Sequence, residues 1–212
     1  MPIRRSTRIP VRSRKNDAAP VLQFLIILTE TDPPVWRRIQ VPGDYTFWDL
    51  HVAIQDAMGW LDYHLHEFRV WNRVRRNMEH LGIPSDDDFG QPHRAGWDVP
   101  ILPVVQDSEL PMLYTYDFGD NWRHVVMFET YGMVEAATRC PRCVAGARKC
   151  PPEDCGGVGG FENFLEAIRN KRHPEHKSYL EWVGGSYNAE EFDPKEVHFD
   201  DPAERLRMAM EA

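Results

Sequence analysis

The chain has 212 residues, 42% hydrophobic and 27% charged, which suits a soluble globular protein of one substantial domain or two small ones. No apolar run approaches the roughly 18–20 residues that span a bilayer, so a membrane-spanning role is excluded at this level. The formal net charge of −8 is unevenly divided: residues 1–20 hold six of the 25 Lys and Arg and one of the 33 acids, leaving a net of −13 elsewhere.

A body that acidic repels the nucleic-acid backbone, so contact with nucleic acid is expected only through the tail or a local patch such as Arg73–Arg76. Residues 1–20 lack apolar periodicity and read as a disordered basic tail. They have no apolar stretch behind their charges, so they do not read as a secretory signal, and a cytoplasmic protein is expected.

Val21–Glu30 reads as a strand with Leu22, Phe24, Ile26 and Leu28 on one side, and Val35–Val41 as its antiparallel partner, although VWRRIQV alternates less cleanly. Thr46 with Asp49 forms an Asp variant of the capping box and opens a helix that runs to about Met58, where Gly59 stops it. In WLDYHLHEFRVW, strand alternation puts His64, His66, Phe68 and Val70 on one face. Asn72–Pro111 is irregular, with a short strand expected at Ile101–Val105; Asp86–Asp88 within it is a solvated run or a set of cation ligands.

Tyr114–Glu129 (YTYDFGDNWRHVVMFE) is the organising stretch: two aromatic, β-branched runs around Gly119-Asp120-Asn121, a strand–turn–strand signal. Gly119 and Asn121 are the residues expected to take positive φ there. Trp122, His124, Val126 and Phe128 share one face of the returning strand. A cysteine segment follows, then Gly156–Gly160 as a flexible hinge or helix entrance before a helix over Phe161–Arg172, a second helix from Pro174 to about Val183, an extended link over Phe192–Phe199, and a last helix at Asp201–Ala212. The expected fold is a single α+β domain over residues 21–212, a mainly antiparallel sheet with helices on one side.

Four stretches, LHVAIQDAMGW, HLHEF, YDFGDNW and CPPEDCGG, together resemble the plasmid pRiA4b ORF-3-like family. The resemblance implies an α+β protein of bacteria and archaea carried in the mobile-element gene pool, and it supplies no catalytic residues to transfer. Cys140 departs from the family pattern, so a site that needs all four thiols is not implied.

Two constellations could carry chemistry. The cysteines, Cys140, Cys143, Cys150 and Cys155, are spaced C-x2-C-x6-C-x4-C. The first pair suits a zinc knuckle; the second is less regular, and reduced buried thiols are the alternative. His173 and His176 could substitute for a missing thiolate. The second set is polar: His64, His66, Asp117, Asp120, His124, Glu153 and Asp154, expected to meet beside the hairpin turn. Gathered together, they would suit a divalent cation that activates water; left apart, they are hydrogen-bonded core and turn residues.

Three functions follow as expectations. The first is a non-enzymatic binding or accessory protein with that polar pocket. The second is a metal-dependent hydrolase of a phosphoester or similar bond, with Asp120, His124 or Glu153 as the catalytic candidates. The third is a nucleic-acid accessory factor acting through the tail.

Overall fold

A computed structural model of the chain describes residues 19–84, 93–108, 110–134 and 140–211. Residues 1–18 of the expected tail and the Asp86–Asp88 run lie outside that set. The elements in order are β1 (Ala19–Leu28), β2 (Val35–Pro42), α1 (Phe47–Met58), β3 (His66–Asn72), β4 (Asn77–Gly82), β5 (Arg94–Ala95), α2 (Ile101–Asp107), β6 (Met112–Tyr116), β7 (Trp122–Val134), β8 (Arg142–Ala147), α3 (Gly157–Arg169), α4 (His176–Trp182) and α5 (Pro202–Glu211). The strands form one sheet in the order β5-β4-β3-β6-β7-β1-β2-β8, in which every pair is antiparallel except β4 with β5.

Strand alternation decides the two faces. Leu22, Phe24, Ile26, Leu28, Val35, Ile39, Phe68, Val70, Tyr114, Trp122 and Val126 are buried on one face and belong to a single apolar cluster. Phe161 and Phe164 of α3 join that cluster. The opposite face is crossed by a polar ladder. Glu129 accepts from Arg38 Nε (2.8 Å) and Gln23 Nε2 (2.9 Å), Gln40 donates to Gln23 (2.7 Å), and Arg142 donates to Gln40 (2.8 Å).

α1 begins as the capping box requires: the Thr46 side chain accepts from Asp49 N, and Asp49 accepts from Thr46 N (2.8 Å). It ends at Gly59, whose φ of 88° is the left-handed conformation that closes many helices. Both faces of α1 are covered, one by the sheet and the other by the C-terminal segment, where Trp48 Nε1 donates to Pro202 O (2.8 Å).

Covering both faces buries polar groups; many are paired, while Gln55 Oε1, His66 Nδ1 and His124 Nε2 have no hydrogen-bond partner among the described residues. Arg37 stands on the core face of β2, 1% exposed, and its guanidinium donates to Ala57 O (2.7 Å), Trp36 O (2.8 Å) and Ala147 O (3.0 Å) while lying 3.7 Å over the Phe192 ring. Gln55 donates to the Tyr114 hydroxyl (2.8 Å), which donates to His51 Nδ1 (2.8 Å), and His51 Nε2 donates to Asp62 Oδ1 (2.9 Å). That proton order follows from Asp62: burial pushes its carboxyl up, but His51 and Arg205 outweigh burial and hold it below the usual range, so it only accepts. The His66 ring stacks on His51 at 3.4 Å, and His124 sits edge-on to Trp60.

Several elements differ from the sequence reading. Ile101–Val105 is the start of helix α2, not a strand; a short apolar run fits either period. The irregular stretch contains β4 and β5, and the cysteine segment contains β8. Of the two readings of the glycine-rich run, the helix entrance is the one that fits: Gly156 is the N-cap and Gly157–Gly160 the first turn of α3. In the central hairpin, positive φ falls on Asp117 (53°) and Asn121 (56°), not on Gly119. The reversal spans five residues, closed by Asn121 N to Asp117 O (2.6 Å). This turn abuts the start of α3: Gly156 N donates to Asp120 Oδ2 (3.0 Å), and a Cβ at Gly157 would stand 2.6 Å from Asp120 O.

Two outcomes follow from this packing. Burial holds His66 well below its ordinary value and His124 down at about 4, so on acidification the unfolded chain takes up protons from about pH 6.5 that the folded chain refuses. Each such histidine removes about 1.4 kcal/mol of stability per pH unit over that window. Asp56, which burial pushes up to about 6, offsets part of this in the opposite direction. Urea unfolding is expected to show a net loss of about 2 kcal/mol between pH ~7.5 and ~5, and His124→Leu should flatten the slope. Gly157→Ala, at φ 67° and against Asp120, should cost at least about 1–2 kcal/mol in the same assay.

Candidate functional site

The hairpin turn, the segment before β3 and the loop before α3 meet at one end of the sheet. Asp117 divides its carboxylate between two tasks. Oδ1 accepts from Gly119 N (2.8 Å) and Asp120 N (3.3 Å), which stabilises the turn against the cost of its positive φ. Oδ2 faces His64 Nε2 at 3.7 Å. His64 Nε2 also lies 2.9 Å from Asp154 Oδ1, and one ligand atom from each of His64, Asp117 and Asp154 falls within 4.8 Å of the others.

Glu153 borders this group. It accepts from Leu61 N (2.7 Å) and from the Tyr116 hydroxyl (3.0 Å), and burial pushes its carboxyl above the usual range. The Tyr116 hydroxyl in turn accepts from Tyr63 N (3.1 Å) and is held protonated by burial and by Glu153. The cluster is open to water: the His64 side chain is 32% exposed and that of Asp154 65%. Leu61, Tyr63 and Leu65, which flank His64, and Phe118, which follows Asp117, are all exposed.

Of the polar set read from the sequence, then, His64, Asp117 and Asp154 converge and Glu153 adjoins them. Asp120 turns away to hold Gly156 N. His66 and His124 lie elsewhere, both buried in the core. The alternation that paired His64 with His66 fails because β3 starts only at His66; Asp62, at φ 58°, kinks the chain before it. His124 lies inside because it shares a face with Trp122 and Val126, and its Nδ1 donates to Tyr114 O (3.3 Å).

The cysteines do not form a comparable group. Among the described residues, no three of their sulfurs lie within 4.8 Å of one another. Cys143 Sγ contacts Arg38 O (3.6 Å) from β8, and burial raises the Cys150 and Cys155 thiols well above their ordinary range, which favours the protonated form. His176 Nδ1 donates to Ala167 O (2.8 Å), which fixes α4 on α3. A separate cavity of about 560 Å³ lies beneath the last turn of α1, lined by Arg37, Asp56, Trp60, Lys149, Phe192 and Arg205 among others. Sequence reasoning missed the ion pair of Arg205 with Asp62 (2.9 Å), because it joins residues more than a hundred positions apart; Asp200, only five positions before Arg205, pairs with it as well (2.7 Å).

Among the described residues, no helix is long and apolar enough to cross a membrane. Comparison with known proteins agrees with the resemblance read from the motifs. The chain is 36% identical over 170 residues to the uncharacterized protein y4hQ of Sinorhizobium fredii, a match covering 79% of this chain and 83% of that protein. It is also similar to the crystal structure of a protein of unknown function, MM3350 from Methanosarcina mazei Go1, with a TM-score of 0.78 and 38% identity across 86% of this chain and 99% of that one. The family model described as plasmid pRiA4b ORF-3-like protein matches residues 20–196, and the chain belongs to that family.

Proposed function

We propose that the protein is a binding or accessory protein whose recognition site is the solvent-open group His64, Asp117 and Asp154, organised by a divalent cation. One observation carries this reading: three ligand atoms from three separate chain segments lie within 4.8 Å of one another at an exposed end of the sheet. One imidazole and two carboxylates form a mixed nitrogen and oxygen set of the kind that suits Mn²⁺ or Zn²⁺. A metal held by only three side chains keeps positions open for a ligand's own oxygens. The exposed Leu61, Tyr63, Leu65 and Phe118 supply apolar contact next to it. A family description that refers to a plasmid reading frame fits an accessory role.

The hydrolase reading draws on Glu153. A carboxyl raised by burial and joined to the Tyr116 hydroxyl, beside a cation, is suited to move a proton to or from a cation-bound water.

Calorimetric titration of chelator-treated protein with Mn²⁺ should show binding that weakens at least about tenfold in His64→Ala and in Asp154→Asn, with unchanged melting curves. Equal affinity in both variants would remove the site. Under the binding reading an activated phosphodiester is not turned over with Mn²⁺ present. Turnover that falls by about 100-fold in Glu153→Gln would replace that reading with the hydrolase.

A further inference from the structure

A second group of ligating side chains lies away from the hairpin turn, on the face of the sheet opposite α1. Glu67 of β3 points outward, since its neighbours His66 and Phe68 are buried in the core. His80 of β4 pairs with Arg69 and so shares that outer face. His93, just before β5, reaches the same carboxylate: Glu67 Oε1 is hydrogen-bonded to His80 Nδ1 and lies 3.1 Å from His93 Nε2. One ligand atom from each of the three residues falls within 4.8 Å of the others. All three side chains are largely shielded, at 16%, 20% and 14% exposed.

The backbone is built to allow this approach. Gly82 stands opposite Glu67 in the β3–β4 pairing. A Cβ there would come within 2.7 Å of His66 O and 3.4 Å of His93 Cδ2, so the His93 ring occupies ground that a side chain at position 82 would contest. Arg69 Nε stands 3.6 Å from the other carboxylate oxygen, Glu67 Oε2.

We infer that Glu67, His80 and His93 form a binding site for a first-row divalent cation of the Zn²⁺ type. Two imidazoles and one carboxylate favour zinc and its neighbours over magnesium or calcium, which take oxygen ligands. Three protein ligands leave a coordination position for water or a small anion. The bound ion would also tie the short parallel strand β5 to β3 and β4, a junction with only two residue pairs of its own. This inference is independent of the cation proposed at the hairpin turn.

The test is titration of the full, chelator-treated chain with Co²⁺, followed by visible absorption, and with Zn²⁺, followed by calorimetry. One equivalent beyond any held at the hairpin turn is expected to bind with ligand-field bands and without thiolate charge-transfer absorption. His80→Ala and His93→Ala should each weaken it at least about tenfold, as should the near-isosteric Glu67→Gln, while Asp117→Asn leaves it unchanged. Circular dichroism and melting of each variant establish that it is folded. Zinc should raise the melting temperature of the parent and not that of His93→Ala. The site is rejected if no metal binds, if the three variants bind as the parent does, if binding depends on Asp117 instead, or if the cobalt spectrum is that of thiolate ligands.

Discussion

The architecture depends on the buried cation Arg37. Arg37 lies on the face of β2 that every neighbouring position gives to apolar side chains, and burial lowers its pKa. Its guanidinium remains tolerable there because three backbone carbonyls and the Phe192 ring surround it. Those partners come from separate parts of the chain. Ala57 O belongs to the last turn of α1, where carbonyls lack helical partners; Ala147 O ends β8; Phe192 lies in the C-terminal segment. One side chain therefore sets where α1 ends over the sheet, where the edge strand lies and where the C-terminal segment crosses. Removing it would leave the Ala57 carbonyl buried without that donor, and a loss of this kind costs about 1–3 kcal/mol.

That arginine also explains where the sequence was hard to read. VWRRIQV alternates imperfectly because position 37 is inside and charged, while the strand itself is regular. Local signals were legible: the Thr46–Asp49 box, the Gly59 stop and the face shared by Trp122, His124, Val126 and Phe128 are each decided within a few residues. What could not be read depends on distant pairing. β4 carries few apolar residues because much of it lies at an exposed edge, so its pattern is weak. His51 looks like an ordinary polar position on an amphipathic helix, yet it faces the sheet, where it stacks on His66 of β3 and is bonded to Tyr114 of β6.

The polar end of the molecule shows the same division. Asp117 was legible as a turn residue and as a member of the polar group, and it serves the turn with one oxygen and faces His64 with the other. Asp120 and His124 looked equally suited. Asp120 spends a carboxylate oxygen on a backbone amide of the next loop, and His124 is enclosed by Trp60 and Tyr114. Residue type and turn proximity select candidates; which atoms remain free is decided by loops that arrive from elsewhere in the chain.

The ladder from Glu129 through Gln23 and Gln40 to Arg142 has a consequence for association. It spans four adjacent strands, on the side of the sheet where Leu25 and Ile27 are only partly covered. Stacking a second sheet on that side would strip water from a row of mutually satisfied amides and ions and give nothing polar in return. That side therefore resists lamination along the strands the ladder crosses, β7, β1, β2 and β8.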